Sequence, residues 1–223
     1  HGSISRIRPF SPEYRFCSIS FSTINWNISG SRDVLILIIL GVVFGLTGRF
    51  FSVLLQKSKK IFGEKVANPF IRIGAFAIPL AILLFLIHSG RYTGLGTNLI
   101  SASFAGETIY GYDWILKLLF TIFTLAIGFQ GGEVTPLFSI GASLGIILGS
   151  LLGIPPVICA ALGYAAVFGS ATNTLFAPIL IGLEVFGSQN IIPLVLVCII
   201  AYLVNGNRSI YGAQQKALCR FEE

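Results

Sequence analysis

The chain has 223 residues, of which 54% are hydrophobic and only 11% charged, and its formal net charge is +6. Soluble domains carry roughly 25% charged residues, so a soluble enzyme domain is excluded and most of the outer surface is expected to face lipid. The basic residues gather at Lys57, Lys59, Lys60, Lys65 and Arg72, and again at Arg208, Lys216 and Arg220; no basic face persists along any helix, which excludes nucleic acid as a partner and reads as positive flanks on the cytoplasmic side of spans.

Residues 1–30 are polar and Ser-rich, without the basic-then-apolar order of a signal peptide. The sequence contains no Met and is expected to begin inside a longer protein. An apolar run over 34–55 follows Ser31-Arg32-Asp33, and Gly41, Gly45 and Gly48 within it allow a close helix neighbour. The basic cluster is expected to follow that helix as a flank. Asn68-Pro69 opens a second span over 70–88. A Gly-rich loop with Arg91 covers 89–97, and 98–104 is too short to cross a bilayer, so it is a short helix or a re-entrant piece.

Residues 110–129 make another span, with Tyr110, Tyr112 and Trp114 suited to the membrane interface. Asp113 and Lys117 stand at i, i+4 near its start, the spacing of a helical ion pair. The segment Gly131-Gly132-Glu133-Val134-Thr135-Pro136 then interrupts the apolar sequence. Apolar runs follow over 137–152, 157–168, 175–186 and 191–204, separated by Pro155-Pro156, by Gly169-Ser170-Ala171-Thr172-Asn173 and by a short polar turn. The organisation is a polar segment 1–30, a transmembrane helical domain 31–205, and a cytoplasmic-side tail 206–223. The fold class is all-α, a polytopic membrane protein with broken and re-entrant helices.

The short runs carry the functional signal. Helices that stop inside a bilayer expose backbone groups, which lipid tolerates only where the break lines a protein cavity. Half-helices whose N-termini meet near the midplane are a device for holding an anion. Glu133 lies at such a break just before Pro136, a residue suited to a first helical turn. A carboxylate at membrane depth is a functional candidate, although an interfacial capping Glu fits the same sequence. Thr135 adds a hydroxyl. Asn173 and Thr174 are placed to cap the next half-helix. Glu184 is a second embedded carboxylate that pairs with a helix N-terminus or a polar side chain, in a structural or an ion-path role. Tyr211, just past the last run, is either an interface Tyr or a donor to an anion.

Other patterns carry less. Gly141, Gly145, Gly149 and Gly153 recur every four residues and bare one helical face for packing. Gly141-Ala142-Ser143-Leu144-Gly145 matches a nucleophile elbow, which would make an intramembrane serine protease the reading from another class, but Ser143 lies within a helical pattern and not between strand and helix. Asn27-Ile28-Ser29 and Asn207-Arg208-Ser209 fit the glycosylation pattern, which is frequent by chance. Cys17, Cys159, Cys198 and Cys219 lack metal-ligand spacing. No metal, cofactor or catalytic residue is expected.

The segment Gly131-Gly132-Glu133-Val134-Thr135-Pro136-Leu137 resembles the CLC family of anion channels and anion/proton antiporters. That family carries Gly-x-Phe-x-Pro at the start of a pore-facing helix; here Val134 stands where Phe is usual. Gly-Gly-Glu-x-Thr-Pro is similar to the fluoride-transporting branch, as is Ala171-Thr172-Asn173-Thr174 followed by an apolar run ending in Glu184. Ile210-Tyr211 falls where the family carries its pore tyrosine. The resemblance runs over 33–215 and is specific in 128–138 and 169–184.

The resemblance implies the second of two inverted repeats plus the helix preceding it. The first repeat, with its central anion loop and gating glutamate, is absent from this sequence, and Glu133 is not that glutamate. It implies an anion pathway through Gly132, Glu133, Val134, Thr135 and Tyr211. Fluoride would be exchanged for protons, with chloride exchange or a chloride channel as the alternative. It also implies a homodimer in a bacterial cytoplasmic membrane, completed by the missing N-terminal half.

Overall fold

The computed structural model describes Trp26 and residues 30–66, 68–129 and 131–211. Asn27-Ile28-Ser29, Cys17, Cys219, Lys216, Arg220 and most of the 1–30 and 206–223 segments therefore lie outside the described residues. Among the described residues the secondary structure is helical: α1 Ser31–Lys65, α2 Pro69–Leu86, a 3₁₀ turn His88–Gly90, α3 Thr97–Ala105, α4 Asp113–Ala126, α5 Val134–Leu152, α6 Pro156–Thr172, α7 Phe176–Phe186 and α8 Ile191–Asn205. Helices α1 and α5 are long and apolar enough to cross a membrane; 70–86, α6, α7 and α8 are shorter apolar helices.

Three boundaries differ most from the sequence reading, and one is α6, which runs on through Gly169-Ser170-Ala171 to Thr172, so that the expected polar break is its last turn. Helix α1 does not end with its apolar run but carries the basic cluster within it, reaching 35 residues. At 1.5 Å per residue such a helix is about 52 Å long, well beyond a hydrocarbon core of roughly 30 Å. No Pro lies between Leu55 and Lys65, and Gln and Lys are good helix formers, so nothing stops it. Lys60 and Glu64 add an i, i+4 pair at 3.9 Å on this exposed stretch. Helix α4 has 14 residues, because Tyr110 and Tyr112 belong to the turn before it.

Helix α6 is the centre of the packing, buried along almost its whole length and flanked by α5, α1 and α8. Lipid supplies no hydrophobic drive between helices, so small residues and cross-helix hydrogen bonds must hold them. The glycine ladder of α5 does this: a side chain at Gly141 would run into the Gly163 carbonyl, and one at Gly145 into the Cys159 carbonyl. On the other side of α6, the Ser170 hydroxyl donates to the Gly45 carbonyl at 2.8 Å and the Ser52 hydroxyl to Ala171 at 2.8 Å. Gly41 and Gly45 lie against Ile200 and Ala201 of α8. A Gly141→Ala substitution forces two backbones apart and is expected to cost about 1–3 kcal/mol, read as a lower thermal midpoint of the detergent-solubilised protein; an unchanged midpoint would contradict this packing.

Phe62 of α1, Phe76 of α2 and Phe123 of α4 form an edge-to-face trio with centroids 5.3, 5.5 and 6.2 Å apart. This trio ties the projecting end of α1 to α2 and α4. The expected Asp113–Lys117 pair does not form. Asp113 is fully buried and takes Arg91 at 2.9 Å, the Tyr92 hydroxyl at 2.6 Å and the Tyr110 N–H at 3.0 Å. Lys117 instead donates to the carbonyls of Tyr92 at 3.1 Å and Gly94 at 2.7 Å. Loop 91–96 folds over the start of α4 and offers both side chains nearer partners than each other.

Candidate functional site

The break between α4 and α5 forms as an unwound turn. Helix α4 stops at Ala126, and Gly128 takes a φ of 109° that a side chain would strain. Arg72 of α2 donates its Nε to the Ile127 carbonyl at 2.9 Å, satisfying a backbone acceptor left over at the end of α4. The chain re-enters a helix at Val134, with Glu133 at its N-cap. The first N–H groups of a helix have no acceptor inside it, and Pro136, third in α5, offers none and fits its first turn. Among the described residues none accepts a hydrogen bond from the N–H groups of Glu133, Val134 or Thr135, and the positive end of the helix dipole lies behind them.

Glu133 does not cap its own helix; its side chain makes no hydrogen bond to the first turn. Its carboxylate accepts from the Lys59 ammonium of α1 at 2.9 Å, with side chains 18% and 44% exposed. Lys59, Arg72 and Glu133 line a cavity of about 520 Å³ with Gly128, Phe129 and Gly131. Two cations against one carboxylate leave that cavity electropositive. A second cavity of about 360 Å³ reaches the same turn, lined by Gly131, Gly132, Pro136, Lys117 and Tyr92 among others. Gly132 is exposed, and Val134 and Thr135 are half-buried.

A second polar group lies where α6 and α8 end. Asn173 is the C-cap of α6 in the left-handed region, φ 57°, a conformation that Asn tolerates. Its side chain does not cap α7, whose N-cap is Leu175. It bonds sideways instead, accepting from Asn205 at 3.2 Å and donating to Asn207 at 3.1 Å. The Thr174 hydroxyl meets that of Thr172 at 2.7 Å. The loop after α8 is fastened to α6 by Ile210 N–H donating to Ala171 at 2.9 Å and the Ser209 hydroxyl to Thr172 at 3.1 Å, and Gln56 of α1 donates to the Ser209 carbonyl. Tyr211 is presented at the end of this fastening, 48% exposed. Among the described residues no hydrogen bond joins Tyr211 to the Glu133 turn.

Residues 13–206 match the family model described as voltage gated chloride channel. The chain belongs to this CLC family. It is 38% identical over 190 residues to a chloride/fluoride channel protein of Pseudomonas syringae pv. tomato, covering 82% of this chain and 42% of that protein. It is 26% identical over 193 residues to an H(+)/Cl(-) exchange transporter ClcA of Yersinia pestis, covering 79% of this chain and 40% of that protein. Among solved structures it is similar to one titled crystal structure of a CLC-type fluoride/proton antiporter, with 50% identity and a TM-score of 0.83 over 86% of this chain and 49% of that one. The chain thus spans about half the length of these relatives or less. Its helices have the polytopic membrane fold of the CLC family.

The geometry of this CLC chain corrects the elbow reading of Ser143 and the expected polar partner of Glu184, and leaves the ion-path role of Glu184 as an expectation. Glu184 on α7 is exposed, with neither a helix N-terminus nor a polar side chain holding it among the described residues. Ser143 is fully buried in mid-α5, donating to Ser139 at 2.7 Å and Ile140 at 3.2 Å; the flanking glycines serve packing, so the elbow pattern is coincidental. Ser209 of the Asn207 glycosylation pattern is also buried.

Three features were missed in the CLC sequence: the Lys59 partner of Glu133, the Asn205 amide, and the buried group of Arg91, Tyr92, Asp113 and Lys117. Burial first, and then the Asp113 carboxylate, push the Tyr92 phenol well above its ordinary pKa, so it remains a donor throughout the neutral range. The available signal was that Arg91, Asp113 and Lys117 are charges within or beside apolar segments, where each needs a partner.

Proposed function

We propose that this chain forms one half of the anion pathway of a fluoride/proton antiporter. An N-terminal half completes the protein, which works as a homodimer in a bacterial cytoplasmic membrane. The observation that carries the reading is the break at Gly131-Gly132-Glu133, after which α5 opens with first-turn N–H groups that no described residue accepts from. The 50% identity to a chain from a CLC-type fluoride/proton antiporter supports it.

Fluoride suits this turn because it is small and a strong acceptor, and charge-assisted hydrogen bonds favour it over larger anions. The N–H groups of Val134 and Thr135 and the Thr135 hydroxyl are its donors in the half-pathway described. Gly132 leaves space for its approach. Glu133 carries the proton, donating to fluoride when protonated. Tyr211 donates from the inner side, and the Asn173–Asn205–Asn207 amides hold its loop. Thr174 supports that junction through Thr172.

A chloride channel or chloride/proton exchanger is the second reading, favoured by the identity to a ClcA exchange transporter. The full gene product, reconstituted in liposomes, separates the two by fluoride and chloride electrodes. One extra charge-assisted hydrogen bond, about 1.5 kcal/mol, predicts fluoride efflux about tenfold above chloride. Equal fluxes would overturn the fluoride reading.

A further inference from the structure

Glu133 occupies the N-cap of α5 without capping it. A carboxylate beside a helix N-terminus is drawn to the open N–H groups and the positive dipole. Something must hold this one away. Its backbone is helical, φ −81° and ψ −22°, whereas a capping residue is normally extended. Pro136 removes the N–H of the third position, a usual target of a capping side chain. The carboxylate is instead held by Lys59, 74 residues earlier, at 2.9 Å. Among the described residues Lys59 is its ion-pair partner. Arg72 faces the same cavity, but its Nε is committed to Ile127. Lys60 of α1 is turned to Glu64.

We infer that Lys59 is a positioning residue, whose ammonium draws the Glu133 carboxylate off the first turn of α5 and keeps the Val134 and Thr135 N–H groups open to an anion. Without it the carboxylate folds back onto its own helix and competes with the anion for the same donors. This rests on the proposed anion role of the α5 turn. The projecting end of α1 thereby gains a purpose: it brings a cation to a break that its own apolar run does not reach.

The test uses the full gene product in detergent, titrated calorimetrically with sodium fluoride. The Lys59–Glu133 pair is partly exposed, so its effect is modest: Lys59→Met should weaken fluoride binding about fivefold, the ratio given by roughly 1 kcal/mol at such a pair. Lys59→Arg should restore binding, and Lys59→Met combined with Glu133→Gln should bind as Glu133→Gln alone, because no carboxylate remains to compete. Unchanged binding in Lys59→Met, or a Lys59→Met loss that persists in the double variant, would overturn the inference. Wild-type protein that binds no fluoride would instead count against the functional reading. In that event a structure of Lys59→Met decides the inference by itself: the Glu133 carboxylate on the Thr135 N–H supports it, and a carboxylate still turned away overturns it.

Discussion

Glu133→Gln is expected to cut proton-coupled fluoride transport by about 100-fold, the low end for losing a positioned group that transfers a proton. The amide keeps the shape of the side chain and can still donate an N–H. It cannot take up or release a proton. Fluoride binding should therefore change far less than coupled movement of fluoride and protons. The two are separated by calorimetric binding and by electrode flux on the same preparation. A variant that couples normally would remove Glu133 from the proton step. Equal loss of binding and coupling would make it an anion ligand only.

Asp113→Ala is expected to be the most destabilising single change. Its carboxylate is fully buried and accepts from Arg91, Tyr92 and the Tyr110 backbone. Removal leaves the Tyr92 phenol without its acceptor and the Arg91 guanidinium with the Thr108 carbonyl but no counter-charge, close to the buried Lys117 ammonium. Breaking one side of a buried pair costs about 3–5 kcal/mol, which for a chain of this size is a fall of about 10 °C in thermal midpoint. Fluorescence-detected gel filtration after heating measures it. Asp113→Asn keeps shape and one acceptor and should fall by less. A midpoint within about 2 °C of wild type would show that loop 91–96 is held by other means.

The breaks were legible in the sequence because they are written in Gly, Pro and Asn, which act locally. Pro136 and the two glycines before Glu133 mark the start of α5 to within a turn, and Asn173 marks the end of α6. The glycine spacing of α5 announces a bare face, and that face meets α6. Partnerships were not legible. Asp113 and Lys117 have helical spacing, yet a loop 21 to 25 residues away in sequence supplies better partners for both. Lys59 looked like a flanking charge because its run of lysines has the composition of a membrane edge. Only the continuation of α1 as an unbroken helix carries it to Glu133. The sequence neighbours of Asn173 suit a cap, whereas the ends of α6 and α8 converge and turn it into a cross-brace with Asn205. In each case the residue type was right for polar chemistry, and the partner was fixed by tertiary packing.

The antiport reading is tested most directly by proton movement in liposomes holding the full gene product, fluoride inside and none outside, with an external pH indicator. Efflux of fluoride down its gradient should drive protons inward, alkalinising the medium in proportion to fluoride released, and Glu133→Gln should release the link. Fluoride efflux that leaves external pH unchanged under a clamped membrane potential would contradict exchange and make the protein a channel.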